Sequence, residues 1–391
     1  MKILAIETSA DETAASVTED RKVLSNVIFS QISTHTKWGG IYPMLAKRAH
    51  EERIDWVVSE ALRKFSSNVI LGRNVVKTPE SLLDSGRAPS SLARMTKAID
   101  KIDFIAVTYG PGLAVALEVG IKKGKELAQK YNKKLIAVNH LEGHIYSSFV
   151  QNSKGNPQRD FQFPYLALII SGGHTEIVLW QDHLKYEILG ETRDDAAGEA
   201  LDKAGKMLGL GYPAGPVIER LSQEVDNKDF YSFPRPMTKS PTLEFSFSGL
   251  KTSFYYFLSR HSGKQMNEVK ERIQNRFWTR LNDKEELRKL ASSFQIAVFD
   301  TIVHKTRLAM KQTGINRLVV GGGVIANLYL RKLLRDLVKK NKGEVFFPPY
   351  KYLTGDNAAM IGVAAYYKAQ KKLFIDNLDK LDRIPRLALG S

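Results

Sequence analysis

The order in which strands, glycine loops and helices follow one another constrains this chain most, because the order occurs twice. Apolar residues at 2–8 and 14–18 predict two short strands around the polar turn SADE. Residues 165–170 and 176–180 predict a second pair around the turn SGGHT. Two strand–turn–strand units therefore open two segments of the chain.

Each pair of strands is followed by the same further elements. A buried strand ends in a glycine loop at 102–112 and again at 315–323. The first loop is followed by a helix to about Tyr131 and the strand KLIAVNH, and the second by the helix IANLYLRKLLRDLVKK and the strand EVFFPP. This repetition predicts two similar α/β lobes with parallel connections and a ligand cleft at the glycine loops.

The length of the chain also favours two lobes, since 391 residues exceed what one hydrophobic core usually serves. A polar stretch with glycine and proline, QNSKGNPQRDFQ at 151–162, lacks apolar periodicity. We therefore predict an N-terminal lobe at 1–150 and a C-terminal lobe at 151–391. Residues 67–100 and the charged residues 260–290 are predicted to be peripheral segments, and the tail after about 372 is expected to carry no chemistry.

Composition excludes several classes of site and of protein. The absence of cysteine removes disulfides, thiolate metal sites and cysteine nucleophiles, so any metal must be held by histidine and carboxylate. The longest apolar runs are too short for a membrane span, and the strand that follows Met1 leaves no room for a cleavable leader. We expect a cytoplasmic protein without a membrane partner. A net charge of +16 favours anionic partners such as nucleic acid.

The segment HLEGH at 140–144 directly follows a predicted strand. If the segment is helical, His140 and His144 lie on one face and offer two imidazole ligands to a metal. Glu142 lies about 200° around the helix from His140, whereas the zinc protease pattern places its Glu directly after the first His. The alternative is a structural role, in which both histidines cap the strand end or pair with carboxylates.

A third ligand is offered by TGDNAAM at 354–360. Asp356 follows a glycine at the start of an alanine-rich helical stretch, from which its carboxylate can complete a His, His, Asp set. The other interpretation is that Asp356 caps the helix. The two roles do not exclude each other.

Glycine turns occur in both lobes, in SGGHT at 171–175 and in GGG at 321–323. Backbone amides in such turns can cradle a phosphate, although each turn also needs glycine for its own geometry. Together with the polar turn ETSADET they favour phosphate binding between two lobes. The chain has no P-loop, no nucleophile elbow and no dinucleotide fingerprint.

Two further segments have patterns that spacing alone does not resolve. Residues 194–216 are predicted to be a helix with a charged face, either salt-paired in solvent or set against a ligand by the turn YPAGP that follows. The segment FSFSGLKT at 245–252 carries two hydroxyls and a lysine and fits an alternating strand that ends in a turn.

The chain resembles the tRNA threonylcarbamoyladenosine transferase family, called TsaD in bacteria and formerly described as an O-sialoglycoprotein endopeptidase. The resemblance rests on ten motifs in order, which span nearly the whole chain: ETSADET, GGIYP, YGPGLAVALEVG, NHLEGH, ISGGHTEIV, DDAAGEALDKAGKMLGLGYPAGP, FPRPM, FSFSGLKT, GGGVIAN and TGDNAAM. It implies the two-lobed actin, sugar kinase and Hsp70-like (ASKHA) fold, an α/β fold with a duplicated lobe and a central cleft.

The resemblance implies transfer of the threonylcarbamoyl group of threonylcarbamoyl-AMP to N6 of the adenosine 3′ of the anticodon, in tRNAs that read codons beginning with A. AMP is released. The family's metal ligands fall on His140, His144 and Asp356, for one divalent ion per subunit, usually iron in relatives, with zinc as the alternative. The family's substrate contacts, with possible adenine nucleotide binding, fall on these residues: Ile170, Ser171, Gly172, Gly173, His174, Asp202, Gly215 and Asn327. We add the hypothesis that Asp11 or Glu12 orients or deprotonates the attacking amine.

The implied partners are tRNA, an inactive TsaB-like paralogue, a TsaE-like ATPase and a separate TsaC-like synthase that makes the adenylate. The chain departs from the family pattern at Ala10, Met44, Val115, Ala214 and Gly355. Two other functions stay open at this point: a zinc-type metalloprotease and a nucleotide-binding actin-like protein.

Overall fold

The structure is a computed structural model that describes residues 1–67, 75–77, 97–261 and 284–390. Most of the two segments predicted to be peripheral lies outside these residues. Contacts divide the chain into two compact units, and the ranges are as follows: the first unit holds 1–163, 181–186 and 347–391, and the second holds 164–180 and 187–346. The predicted boundary between an N-terminal lobe at 1–150 and a C-terminal lobe at 151–391 stays a prediction. In the structure, the C-terminal residues 347–391 pack with the first unit.

The first unit is built on a six-stranded sheet. Its strands are β1 (Lys2–Glu7), β2 (Glu12–Glu19), β3 (Lys22–Ser30), β4 (Val75–Lys77), β5 (Phe104–Gly110) and β6 (Lys134–Asn139). Their order across the sheet is β4-β3-β2-β1-β5-β6. β1 and β2 are antiparallel, β2 and β3 are antiparallel, and β1, β5 and β6 run parallel to one another.

The second unit repeats this arrangement in a five-stranded sheet. Its strands are β7 (Tyr165–Ile170), β8 (Thr175–Asp182), β9 (Lys185–Glu191), β10 (Arg317–Gly321) and β11 (Glu344–Phe346). Their order is β11-β10-β7-β8-β9, with β7 antiparallel to β8 and parallel to β10. If β4 is left aside and the five remaining strands of each unit are numbered 1 to 5 along the chain, both sheets have the strand order 3-2-1-4-5. The predicted α/β fold class with a duplicated lobe is confirmed.

The structure has the helices predicted after the two glycine loops, at HLEGH and after Asp356, together with helices that the sequence analysis did not predict. They are α1 (Ile32–Thr36), α2 (Pro43–Ser66), α3 (Ala114–Lys130), α4 (His140–Tyr146), α5 (Ala197–Met207), α6 (Gly215–Gln223), α7 (Ser248–His261), α8 (Lys284–Thr313), α9 (Leu328–Lys340) and α10 (Ala358–Gln370). Within the described ranges, no helix is both long and apolar enough to cross a bilayer.

The helix predicted within 194–216, before the turn YPAGP, is wrong in its bounds. Residues 194–196 precede the helix, and α5 ends at Met207. Gly209 and Gly211 then take positive φ angles of 73° and 82°, which stop an α-helix. The chain turns and begins α6 at Gly215.

The helix α10 brings the C-terminal part of the chain onto the first sheet. Its sequence AAMIGVAA is buried almost throughout and packs against β1, β2 and α4. A Cβ on Gly362 would lie 2.6 Å from Thr18 Oγ1, so the helix backbone lies close to β2. Small residues allow this approach, and the approach sets the position of Asp356, two residues before the helix.

One close approach in the second unit gives a test of the packing. A Cβ on Gly205 in α5 would lie 2.0 Å from Cβ of Ala214. Gly205→Ala should therefore lower the free energy of unfolding by about 1–3 kcal/mol, although alanine is the better helix former. Denaturant unfolding measures the change.

Two further variants make this prediction specific. Ala214→Gly added to Gly205→Ala should restore most of the lost stability, because it removes the opposing methyl group. Gly249→Ala in α7 is the matched control, since a Cβ there has nothing within 4 Å. Equal effects of Gly205→Ala and Gly249→Ala would contradict the proposed clash.

Candidate metal centre and substrate-binding residues

Three parallel strands of the first sheet end at the same edge. β1 ends at Glu7, β5 ends in the Gly-Pro-Gly loop at 110–112, and β6 ends at Asn139, directly before His140. Carboxyl ends of adjacent parallel strands meet at one edge, so these polar groups lie together. The loop is fixed there because Leu113 N–H donates to the carbonyl of Ser9 (2.8 Å).

His140, His144 and Asp356 form a compact cluster at this edge. Their ligand atoms all lie within 4.8 Å of one another. Nε2 of His140 and Nε2 of His144 lie 3.4 Å and 3.3 Å from Oδ1 of Asp356. Metal bonds of 2.0–2.2 Å place neighbouring ligand atoms about 3–3.5 Å apart. The spacing of these three side chains therefore fits a single metal ion.

The local structure explains why each ligand points to the cluster. Asn139 caps α4, with its side chain accepting from Leu141 N–H (2.8 Å), so the two histidines are one helical turn apart on the same face. Asn357, not Asp356, caps α10 by accepting from Met360 N–H (3.0 Å). The capping alternative for Asp356 is wrong, and its carboxylate faces the histidines.

His144 supplies the clearest sign that a ligand is needed. Its side chain is fully buried. Among the described residues Nδ1 has no hydrogen-bond partner, and Nε2 has a contact of 3.3 Å with Oδ1 of Asp356 in place of a well-formed hydrogen bond. A buried polar atom without a partner is costly, and a metal bond would remove that cost. Its pKa is lowered by burial and by His140, which keeps the ring neutral and able to bind a cation.

His140 is oriented by a carboxylate behind it. Nδ1 of His140 lies 3.1 Å from Oε2 of Glu7 and 3.1 Å from Oγ of Ser9. Glu7 is fully buried and also accepts from Thr108 Oγ1 (2.6 Å). With one proton held on Nδ1 by Glu7, loss of the proton on Nε2 would leave a lone pair there for a cation, which is the usual support for a metal-binding histidine.

The charges of the cluster compensate one another without a metal. Burial alone lowers the pKa of His140, but Asp356 and Glu7 outweigh it and raise the pKa to about 10. Burial raises the pKa of Asp356 and of Glu7, and His140 outweighs it and lowers both. A divalent cation can replace the protons held by this set of two histidines and two carboxylates.

Glu142 is engaged elsewhere. Its carboxylate lies 3.0 Å from Lys368 Nζ and 3.4 Å from the N–H of Asn139. Burial raises its pKa against the opposing effect of Lys368. A buried carboxylate that pairs with a lysine and closes a helix cap is poorly suited to activate a water molecule, so the metalloprotease alternative is not favoured.

Asp11 and Glu12 form a pair of carboxyl groups next to the cluster. Burial raises the pKa of Asp11, and burial, Asp11 and Asp356 raise the pKa of Glu12 well above its usual range. The two carboxyl groups are close enough for each to act on the pKa of the other. His50 holds the turn, with Nε2 3.1 Å from the carbonyl of Ala10. The pair can share a proton and accept another from a substrate.

The SGGHT turn of the second unit is tied to its surroundings. Ser171 Oγ accepts from the N–H of Gly173 (3.3 Å) and of His174 (3.0 Å), so these two amides close the turn itself. Gly198 N–H donates to the carbonyl of Ser171 (3.2 Å). Gly322, at a φ of 96°, comes so close to the backbone of Ile170 that a Cβ would lie 2.3 Å from its oxygen. Gly322 is therefore required for packing.

Asp202 and Gly215 are joined through the turn between α5 and α6. Oδ1 of Asp202 accepts from Ala214 N–H (2.7 Å), the residue directly before Gly215. The carboxylate thus lies at the beginning of α6, where Gly215 is the first helical residue. Two of the substrate residues implied by the family pattern are brought together in this way.

Asn327 lies at the start of α9. It caps the helix by accepting from Leu330 N–H, and its Nδ2 donates to Gln295 Oε1 (2.9 Å). Glu219 of α6 accepts from Leu328 N–H (2.7 Å), which connects this corner to the Gly215 helix. The substrate residues of the family pattern therefore lie on connected loops and helix ends of the second unit.

Several supporting residues were missed by sequence reasoning. Glu7, Thr108 and His50 contribute to the site through contacts that no spacing reveals, since His50 lies in the middle of α2. Glu7 could have been predicted from the sequence, because it is a polar residue at the end of a buried strand. FSFSGLKT begins α7 at Ser248, and its hydroxyls and amides hold Asp194.

Comparison with known proteins gives matches over most of the chain. A family model described as TsaD, tRNA N6-adenosine threonylcarbamoyltransferase, matches residues 22–70 and 89–363. A protein of Endomicrobium trichonymphae with that name is 44% identical over 95% of this chain and 93% of its own length. Another from Kosmotoga olearia is 39% identical over 96% of this chain and 95% of its own length.

Among solved structures, the ROK hexokinase of Thermus thermophilus matches with a TM-score of 0.42 and 13% identity, over 95% of this chain and 100% of that one. YeaZ of Pseudomonas aeruginosa matches with a TM-score of 0.27 and 13% identity, over 48% of this chain and 68% of that one. Both scores are too low to support conclusions about function.

The hydrogen bond from His140 to Glu7 gives a testable prediction about metal affinity. Glu7→Gln keeps the shape of the side chain but removes the charge that fixes the imidazole proton on Nδ1. We expect Zn²⁺ and Fe²⁺ to bind about 10- to 100-fold more weakly, measured by competition with a chelator. Glu118→Gln, at a partly exposed carboxylate of α3, is the control and should bind metal as the wild type does. Unchanged affinity in a folded Glu7→Gln protein would contradict the assignment.

Proposed function

Since this chain belongs to the TsaD family of tRNA N6-adenosine threonylcarbamoyltransferases, we propose that His140, His144 and Asp356 hold the metal ion with which it acts. The protein is a tRNA-modifying transferase that forms N6-threonylcarbamoyladenosine. The observation that carries the metal proposal is the compact cluster in which Nε2 of His140 and Nε2 of His144 lie 3.4 Å and 3.3 Å from Oδ1 of Asp356.

In the proposed reaction the threonylcarbamoyl donor is threonylcarbamoyl-AMP. The N6 amine of the adenosine 3′ of the anticodon attacks the carbonyl carbon of the donor, the bond from that carbon to the phosphate oxygen breaks, and AMP leaves. One proton is lost from the amine. Imidazole and carboxylate ligands suit Fe²⁺, with Zn²⁺ as the alternative. When bound, the ion supplies positive charge that stabilises anionic oxygens of the donor.

Asp11 and Glu12 are proposed to orient the amine and accept its proton. The adenine amine is a weak base and a weak nucleophile, so a hydrogen-bond acceptor directed at it raises its reactivity. A carboxyl pair whose pKa values are raised by burial is a stronger base than an exposed carboxylate. The buried, neutral His50 holds the main chain of this turn, and burial lowers its pKa to about 4.

The residues of the second unit are proposed to bind the donor, or another adenine nucleotide. Gly172 and Gly173 are exposed and have no side chain, so a ligand can reach their backbone. The Asp202 carboxylate can accept hydrogen bonds from ribose hydroxyls, and Gly215 begins a helix beside it. Ile170, at the end of β7, and Asn327, at the start of α9, are proposed to contribute to the same binding site.

The same proposal extends to partners and location. The family pattern implies an inactive TsaB-like paralogue and a TsaE-like ATPase as accessory subunits, with a separate TsaC-like synthase as the source of the adenylate. We place the protein in the cytoplasm, with its tRNA substrate. A net charge of +16 supports binding of the polyanionic tRNA.

A transfer assay tests the metal site. Radiolabelled threonylcarbamoyl-AMP is mixed with unmodified tRNA and the purified protein, with and without the accessory subunits. His140→Ala and Asp356→Asn should each lower transfer at least about 100-fold, because the ion contributes several kcal/mol to charge stabilisation. His304→Ala, at a histidine of α8, is the control. Wild-type rates in both metal-site variants would overturn the proposed role.

Single-turnover transfer tests the carboxyl pair. At least one of Asp11→Asn and Glu12→Gln should lower the rate about 100-fold or more, because removal of a general base typically costs this much. Metal binding should stay near wild type in both, since neither side chain belongs to the ligand set. If both variants keep near-normal rates, the amine loses its proton in another way.

A further inference from the structure

Two exposed aromatic side chains stack on each other in the first unit. Trp38 is 61% exposed and Tyr42 is 51% exposed, the two largest exposures of aromatic residues among the described part of the chain. Their ring centroids are 5.7 Å apart, with an angle of 29° between the planes. A stacked aromatic pair in water leaves a large apolar ring face without cover.

The buried residue His35 holds this pair in place. Trp38 N–H donates to the carbonyl of His35 (2.9 Å), and Tyr42 N–H donates to Nδ1 of His35 (3.4 Å). Nε2 of His35 lies 3.2 Å from Oε1 of Gln31. The backbone on both sides of the pair is therefore fixed by one fully buried imidazole.

The same segment connects directly to the carboxyl pair described above. Gln31 N–H donates to the carbonyl of Asp11 (3.0 Å). His35 is close enough to Asp11 to lower the pKa of its carboxyl group, and Asp11 in turn acts to raise the pKa of His35. The short helix α1 therefore connects the aromatic pair to the turn that carries the proposed proton acceptor.

One basic side chain beside the pair favours an anionic partner. Of the three Lys or Arg side chains at 31–50, Lys47 pairs with Glu51 and Glu118 and Arg48 pairs with Glu52, which leaves Lys37. Lys37, next to Trp38, is exposed and forms no ion pair with any residue that the structure describes. Aromatic rings interleaved with basic side chains are typical of surfaces that bind single-stranded nucleic acid, where bases stack on the rings.

We propose that Trp38 and Tyr42 form a platform on which an unpaired base of the tRNA anticodon loop stacks, with Lys37 neutralising a neighbouring phosphate. This inference rests on the transferase function above and adds the surface that receives the loop. A base next to the modified adenosine is unstacked when that adenosine enters the site, and the platform replaces the lost base stacking. The platform thereby holds the loop open beside Asp11.

Equilibrium binding of the full-length protein to the anticodon stem–loop tests the platform. Trp38→Leu keeps an apolar side chain but removes the ring, and it should weaken binding about 10-fold or more, within the range known for loss of one base stack. Trp38→Phe keeps a ring and should stay within about 3-fold of wild type. A duplex that contains only the stem should bind all variants equally.

The salt dependence of binding separates stacking from charge. Trp38→Leu should leave the slope of log affinity against log salt unchanged, whereas Lys37→Ala should reduce it by about 0.7–0.9. Tyr256→Leu, at an exposed tyrosine of α7, is the matched control and should bind as wild type.

Two results would overturn the platform while the transferase function stands. One is wild-type transfer with equal stem–loop affinity in Trp38→Leu and wild type. The other is an equal loss in Trp38→Leu and Trp38→Phe, which indicates a structural role. If Trp38→Leu binds tRNA normally but loses an accessory subunit, the surface receives protein and the proposal is wrong. Absence of transfer by the wild type with all partners would instead count against the function itself.

Discussion

The buried contact between Glu7 and His140 is the interaction on which the candidate site depends. It joins the end of β1 to the first residue of α4 and holds two ionisable groups away from water. Buried charges persist only when they are paired, and here Asp356 completes the compensation. The cluster therefore stays intact only while the three chain segments that supply it keep their positions.

Those positions come from two different kinds of packing. The parallel strands β1, β5 and β6 place Glu7 and His140 at one sheet edge. The alanine-rich α10 then brings Asp356 from more than two hundred residues further along the chain. Because α10 presents small residues to β2, its backbone lies close to the sheet, and the loop before it reaches the histidines. The site is thus a product of the fold of the first unit.

Sequence reasoning identified the two candidate metal-binding histidines because they lie one helical turn apart after a strand, which is a local pattern. It left the role of Asp356 open between ligand and cap, and the structure shows that Asn357 takes the cap. It also predicted one helix over 194–216, because charged and small residues continue the helical period there. The positive φ angles of Gly209 and Gly211 end that helix, and glycine in a sequence does not reveal which sign of φ it adopts.

The sequence by itself determined the duplicated order of elements, the family and the residue types available for a metal. These follow from local periodicity and from motifs that lie within a few residues of one another. Only the tertiary structure decided that Glu7 supports His140, that His50 holds the Asp11 turn, and that Trp38 and Tyr42 stay exposed and stacked. The first two depend on contacts between distant segments, and the third on the local geometry around His35. A hydrophobic pattern specifies which face is buried but not which polar groups meet there.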